Sequence, residues 1–227
     1  MGEIIFITGT DTGVGKTVLT ALLLVYLRTK KIHALAMKPF CSGGRRDVRV
    51  LQKLQAGELS DSEMNPFYFN EPLAPYIAAK KSGREIESKE IFEKIAGVKS
   101  RCDLLLIEGA GGVMVPLGKN FLMKDLIIGL QPKVFLVGRN KLGTINQTML
   151  SVLALKPALS NELAVVLMNG KTRDLSSESN QRAIEELIAP TEVFLLPFMG
   201  ERLFRPGAIA AHQKKIKKTL AAIIESV

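Results

Sequence analysis

Apolar residues gather in short runs separated by longer stretches in which they recur every three or four positions. The runs Ile4 to Thr8, His33 to Lys38, Leu104 to Glu108, Val134 to Val137, Ala164 to Met168 and Val193 to Leu196 are mostly apolar and predict strands. The stretches between them predict helices beginning near Lys16, Ser88, Thr144, Asn180 and Ala211. The segment from Ser88 sets Ile91, Phe92, Ile95 and Val98 on one face, as a helix packed on a sheet requires. Strands that are apolar without alternation are covered on both faces. Alternating with helices, they imply an α/β fold with a mostly parallel β-sheet and helices on both faces.

At 227 residues and 47% hydrophobic content, the chain is long enough for one substantial core, and a single domain spanning 1–227 is expected. The stretch from Ser42 to Gly83, with Pro66, Pro72 and Pro75, predicts a short helix and long surface loops. No internal repeat, low-complexity segment or Pro/Ser-rich linker interrupts the pattern.

In an open parallel sheet, ligands sit at the carboxyl ends of the strands. Thr8 to Thr17, Lys38 to Ser42, Glu108 to Gly112, Arg139 to Gly143, Asn169 to Gly170 and Pro197 are therefore expected to share one rim.

The first of these carries the strongest signal. "GTDTGVGKT", Gly9 to Thr17, lies between a strand and an apolar helix, the context of a phosphate-binding loop. Amides from Gly13 through Val14, Gly15, Lys16 and Thr17 can converge on phosphate oxygens. Lys16 adds a point charge and Thr17 a hydroxyl for Mg²⁺. Thr10 stands at the first glycine position of the usual spelling, and Gly9 lies one residue earlier. Many ATPases, GTPases and transferases share such a loop, so it names a ligand class and no reaction.

Other strand ends narrow the chemistry. "LLLIEGAGG" closes a strand with Glu108, placed to hold Mg²⁺ directly or through water, and Gly109, Ala110 and Gly111 let backbone approach a phosphate. "AMKPFCSGG" closes another with Lys38, a second ammonium able to stabilise charge on a transferring phosphoryl group, or a surface lysine. Asp47 in "GGRRDVRVL" begins a helix, where it stabilises the N-terminus or, if close to Thr17 and Glu108, ligates metal. In "KLGTINQTML", Thr144 is expected near a helix N-cap, whose free amides can receive a carboxylate or be simply capped.

Charge and cysteine content alter little. The net charge of +9 and pI of about 9.6 come from scattered residues, apart from "KKIKK" at Lys214 to Lys218, which reads as a solvated helix face. Cys41 and Cys102 lie far apart without CxxC or His-rich spacing, so neither a disulfide framework nor a zinc site is indicated. No basic leader precedes the first strand, and Val18 to Leu27 is too short for a bilayer needing about 20 apolar residues. A cytoplasmic location is expected.

Taken in order, "GTDTGVGKT", "MKPFCSG", "EGAGG", "KLGTIN" and "MNG" resemble the dethiobiotin synthetases, ATP-dependent ligases of biotin biosynthesis with a phosphate-loop NTPase-like fold. The resemblance runs from about Ile4 to Pro197. It implies a homodimer that acts on 7,8-diaminononanoate, CO2 and MgATP, with ATP as co-substrate and Mg²⁺ as cofactor. It further implies a carbamate, its phosphorylation, and ring closure to dethiobiotin with release of ADP and phosphate.

Carried over by position, Gly13 to Val18 would contact the ATP phosphates, and Thr17, Asp47 and Glu108 would hold Mg²⁺. Lys38 would be catalytic with Lys16 assisting, and Ser42 would meet the diamine or its carbamate. Asn169 and Gly170, with Pro197, Phe198 and Met199, match the stretches that frame adenine. Leu142, Gly143, Thr144, Ile145 and Asn146 match the segment binding the substrate's distant carboxylate across the dimer.

The main alternative is a ParA- or MinD-like ATPase switch that binds DNA or membrane. Its signature lysine position holds Asp11 here, and an anion cannot reach for a partner's phosphates. Ile216, Leu220, Ile223 and Ile224 are expected to pack a last helix rather than form a membrane anchor. The synthetase part of a cobyrinate amidase is a second alternative, but it requires a glutamine-hydrolysing domain for which 227 residues leave no room. Neither nucleic acid nor membrane is expected as a partner.

Overall fold

All six apolar runs are strands, and they lie side by side. The computed structural model describes residues 3–156, 162–172, 174–205 and 207–226. Along the chain come β1 (Glu3–Gly9), α1 (Lys16–Thr29), β2 (Ala34–Met37), β3 (Phe40–Ser42), α2 (Arg46–Leu54), α3 (Asp61–Met64), β4 (Phe67–Phe69) and α4 (Pro75–Lys81). There follow α5 (Ser88–Lys99), β5 (Leu104–Gly112), β6 (Pro116–Gly118), β7 (Phe121–Leu122), α6 (Met123–Leu130) and β8 (Lys133–Asn140). The last are α7 (Thr144–Leu155), β9 (Leu163–Asn169), α8 (Asn180–Ile188), β10 (Val193–Leu196), α9 (Ala208–Lys215) and α10 (Lys217–Glu225).

The main sheet has the order β10-β9-β8-β1-β5-β2, and every pairing in it is parallel. Consecutive residues such as Phe6–Ile7, Leu105–Ile107 and Val134–Val137 are fully buried, so both faces of the sheet are covered. By their contacts the helices fall into two groups: α1 meets α2, α9 and α10, while α7 meets α6 and α8. Burial of each large apolar side chain stabilises the fold by about 2 kcal/mol, which makes the sheet the rigid frame for the loops at its ends.

β1 lies between β5 and β8, so the loop after β1 opens where the chain's path across the sheet reverses. Pairing of β1 with β5 shifts register between Ile7 and Gly9, and Gly9 meets Gly112 rather than Ala110. That irregularity loops Gly109–Gly111 out of step beside the glycine-rich turn.

Two expectations are corrected. The stretch from Ser42 to Gly83 is not mainly loop: it carries α2, α3 and α4, and β4 pairs in parallel with β3. Its Phe67, Leu59 and Met64 are buried, and Phe67 stacks on Phe40 with ring centroids 4.8 Å apart. The last helix begins at Ala208 rather than near Ala211 and breaks at Ile216 into α9 and α10. Ile216, Leu220 and Ile223 are buried as expected, while Lys214, Lys215, Lys217 and Lys218 face solvent. Among the described residues, no helix is long and apolar enough to cross a membrane. Both cysteines are free.

Candidate active site

The turn between β1 and α1 is shaped by glycine. Gly13 and Gly15 have φ of 71° and 113°, a region that favours glycine. A Cβ on Gly15 would stand 2.9 Å from Met168 Cγ, and one on Gly9 would stand 2.8 Å from Val14 and 3.0 Å from Lys16 Nζ. Gly9 is therefore as necessary to the loop as the glycines of the usual spelling. Gly15 caps α1 without a side-chain hydrogen bond, which leaves the helix's first amides available to an anion.

Lys16 is buried. Its Nζ donates to Asp11 O and to Gly111 O, each at 2.8 Å, tying the turn to the loop after β5. Burial lowers its pKa to about 8 from an ordinary 10.5; Glu108 opposes that shift and the Lys38 charge adds to it. A polyphosphate against Lys16 favours the ammonium form. ATP binding at a pH of about 9 is therefore expected to take up a proton, and affinity to fall as pH rises above about 8. Calorimetry in two buffers of different ionisation enthalpy reads this directly, and heats that do not depend on the buffer would contradict it.

At the end of β2, Lys38 Nζ donates to Glu108 Oε1 at 2.7 Å and to Asp47 Oδ2 at 2.6 Å. The Thr17 hydroxyl donates to the same Glu108 oxygen at 2.8 Å. Burial works against the Lys38 charge, but the Glu108 and Asp47 carboxylates outweigh it and its pKa is raised. The backbone that carries Lys38 is fixed by buried Asn65, whose Nδ2 donates to the carbonyls of Lys38 and Pro39. α2 begins at Arg46 and brings Asp47 inward in its first turn. Lys38, Thr17, Asp47 and Glu108 thus converge, as the sequence-based reading requires.

Two cavities border the phosphate loop, and the smaller one reaches this cluster. One of about 600 Å³ is lined by Gly13, Val14, Gly15, Val18, Asn169, Gly170, Pro197, Phe198 and Met199, all of them expected, together with Arg139, Asn140, Met168 and Lys171. The other, about 390 Å³, is lined by Lys38, Ser42, Asp47, Ala110 and Gly111, and by Thr12, Phe40, Pro72, Leu73, Pro75 and Val115. Thr12 faces one cavity and Gly13 the other, so the phosphate loop divides them. The Ser42 hydroxyl is buried with no protein partner among the described residues.

Some candidates fall elsewhere. Gly109 lines neither cavity: it is buried, and a Cβ there would meet Phe6 at 3.1 Å and Met123 at 3.4 Å, so its smallness serves packing. Leu142, Gly143, Thr144, Ile145 and Asn146 also line neither cavity. Gly143, not Thr144, occupies the α7 N-cap, and Thr144 Oγ1 is buried without capping the helix. Arg139, whose Nε donates to Gly13 O at 3.0 Å, is signalled in the sequence only by its place after a strand. Pro72, Leu73 and Pro75 lie in the stretch expected to be loop.

The side chains beside the phosphate loop that could hold a divalent cation are Thr17, Asp47 and Glu108, which the Lys38 and Thr17 hydrogen bonds bring together. Glu108 Oε2 is buried with no hydrogen-bond partner among the described residues, an acceptor placed for a cation. No group of three or more His, Cys, Asp or Glu side chains suited to a metal is found among the described residues. Two carboxylates and a hydroxyl suit Mg²⁺ held partly by nucleotide phosphates rather than by an all-protein cage.

A glycine-rich turn opening a helix at the reversal point of a parallel sheet, with a strand-end acid beside it, defines a phosphate-loop nucleotide-binding protein. Residues 3–201 match the family model described as an AAA domain. A plasmid partition protein from Borrelia burgdorferi bound to AMPPNP superposes with a TM-score of 0.68 at 11% identity over 100% of this chain and 99% of its own, a likeness of fold alone. The chain is 37% identical over 188 residues to the ATP-dependent dethiobiotin synthetase BioD of Bacillus velezensis, covering 80% of this chain and 81% of that one. It is 40% identical to the BioD of Methanococcus vannielii, covering 72% and 77%. The chain belongs to the dethiobiotin synthetase family.

Proposed function

We propose that this chain converts 7,8-diaminononanoate, CO2 and ATP into dethiobiotin, ADP and phosphate. The observation that carries the site chemistry is the single Glu108 oxygen shared by Thr17 and Lys38 beside the phosphate loop. It joins the nucleotide-binding turn to the wall of the second cavity, where Ser42 lies. Family membership supports the overall reaction.

One substrate amine attacks CO2 and loses a proton, giving a carbamate. A carbamate oxygen then attacks the γ-phosphorus, the bond to the β-bridging oxygen breaks, and ADP leaves. The second amine attacks the carbonyl carbon of the anhydride, expels phosphate and closes the ring. A carbamate is a poor electrophile in water, so phosphate must first be installed as leaving group.

The amides of Gly13 to Val18 and the Lys16 ammonium hold the phosphates, and Lys38 neutralises charge on the oxygens in transfer. Glu108 and Asp47 hold Lys38 protonated and in place, since its raised pKa keeps it an ammonium at neutral pH. Thr17, Asp47 and Glu108 would hold Mg²⁺, which supplies charge neutralisation on the β- and γ-oxygens when bound. Ser42 meets the diamine or its carbamate. Asn169, Gly170 and Pro197 to Met199 frame the adenine, and Gly111 and Ala110 border the transfer site.

The unit is a single domain, 1–227, paired as a homodimer. Leu142 is 80% exposed and lies outside both cavities of its own chain, and Leu150 and Leu153 on α7 are exposed three residues apart. These features support a partner-facing role for Leu142 to Asn146. The proposed setting is cytoplasmic, with small molecules as ligands and no nucleic acid or membrane.

Purified protein with Mg²⁺ and ATP is expected to release phosphate only when both diaminononanoate and bicarbonate are present, with label from bicarbonate appearing in dethiobiotin. ATP hydrolysis stimulated by DNA or lipid vesicles and indifferent to the diamine would overturn the reading.

A further inference from the structure

Three asparagines from three elements meet beneath the larger cavity. Asn140 ends β8, Asn169 ends β9 and Asn180 begins α8, and their exposures are 4%, 7% and 2%. Asn180 Nδ2 donates to Asn140 Oδ1 at 2.9 Å. Asn140 Nδ2 donates to Asn169 Oδ1 at 2.8 Å and to the Ser177 carbonyl at 2.9 Å.

The direction of this chain is fixed by chemistry. A backbone carbonyl accepts and never donates, so the Asn140 group facing Ser177 must be its NH2. Asn140 then has its oxygen toward Asn180 and its second hydrogen toward Asn169. A reversed Asn169 would set NH2 against NH2, so its oxygen must face inward. Asn180 is held the same way, with Nδ2 also near Lys141 O at 3.3 Å and Ser176 Oγ at 3.2 Å. The Asn169 NH2 has no hydrogen-bond partner among the described residues, and Asn169 lines the cavity.

We propose that Asn140 and Asn180 are positioning residues which lock Asn169 as a hydrogen-bond donor to an acceptor on the nucleotide base, and that this relay sets base selectivity. The inference rests on the reading of the larger cavity as the nucleotide site. Asn180 does not line that cavity, so it acts through Asn140 and Asn169. A purely structural role for the relay would change phosphate binding and base binding alike; a positioning role changes base binding alone.

The test is equilibrium binding of ATP, GTP, CTP, UTP and inorganic tripolyphosphate to the full chain, with Asn180→Ala and Asn140→Ser beside wild type. Wild type is expected to separate the four nucleotides by about tenfold or more, since an unmade buried hydrogen bond to the wrong base costs on that scale. Both variants are expected to weaken ATP by about tenfold, compress the spread among bases, and leave tripolyphosphate unchanged. If Asn180→Ala does not fold, Asn140→Ser alone carries the test. Equal binding of all nucleotides by wild type, an unchanged spread in the variants, or a parallel loss of tripolyphosphate would overturn the relay. Tripolyphosphate and every nucleotide failing to bind wild type would instead overturn the nucleotide reading of the cavity.

Discussion

Lys38→Ala is expected to lower turnover by about 10³-fold while leaving ATP affinity within a few-fold of wild type, because a group that stabilises charge developing in the transition state contributes little to ground-state binding. The geometry separates its role from that of Lys16. Lys16 is enclosed by the carbonyls of Asp11 and Gly111 within the phosphate loop, whereas Lys38 comes from a different strand and lines the cavity that holds Ser42. Single-turnover measurement with preformed carbamate isolates phosphoryl transfer, and nucleotide titration isolates binding. Equal loss of both would assign Lys38 to nucleotide binding. Lys38→Arg is a useful companion: a planar fork cannot fit between two carboxylate oxygens at 2.6 and 2.7 Å as a point charge does, so little activity is expected to return.

Much of this site was legible because its residue types answer backbone demands. Gly13 and Gly15 stand at positive φ, and the strand that precedes them is buried on both faces, so local sequence carries both signals. The six strands were readable for the same reason: runs such as Val134–Val137 have no exposed face to interrupt them. The stretch from Ser42 to Gly83 was not, since its buried residues, among them Val48, Leu51, Leu59, Met64 and Phe67, are scattered over short elements, several of only three or four residues and too short to show a period. α3 did carry a local sign, a capping box in which Ser60 and Glu63 satisfy each other's ends of the turn. α6 was hidden by Gly129, which breaks its helical pattern and whose missing Cβ makes room for Phe92.

The asparagine relay shows a different limit. Asn169 follows a strand and could be flagged by position, but Asn180 acts from the start of a helix eleven residues on, where it reads as an ordinary polar residue. Its meaning comes from its bond to Asn140, whose orientation is fixed by the Ser177 carbonyl, a partner that no side-chain pattern encodes. Thr144 illustrates the reverse case: a residue type favoured at helix starts sits one position past the cap, because Gly143 takes the left-handed conformation there.

Glu108→Gln is expected to combine a large loss of activity with a measurable loss of stability. Glu108 is fully buried and Lys38 nearly so, and removing one member of a buried pair commonly costs about 3 kcal/mol. The glutamine side chain would keep the shape, but it leaves the Lys16 and Lys38 ammonium groups repelling each other with only Asp11 and half-exposed Asp47 to offset them. Turnover is expected to fall by about 10²-fold or more, with a higher Mg²⁺ concentration needed for half-maximal rate. The stability effect has a defined pH window. Lys38's pKa is raised above its ordinary 10.5, so the pair's contribution is complete below that value and is lost as pH rises through the folded value. The gap in denaturation midpoint between wild type and Glu108→Gln should therefore be full at neutral pH and narrow in strong alkali. A gap that instead closes on acidification toward neutrality would place the stabilising charge on another group, and an unchanged Mg²⁺ requirement would remove Glu108 from the cation's donor set.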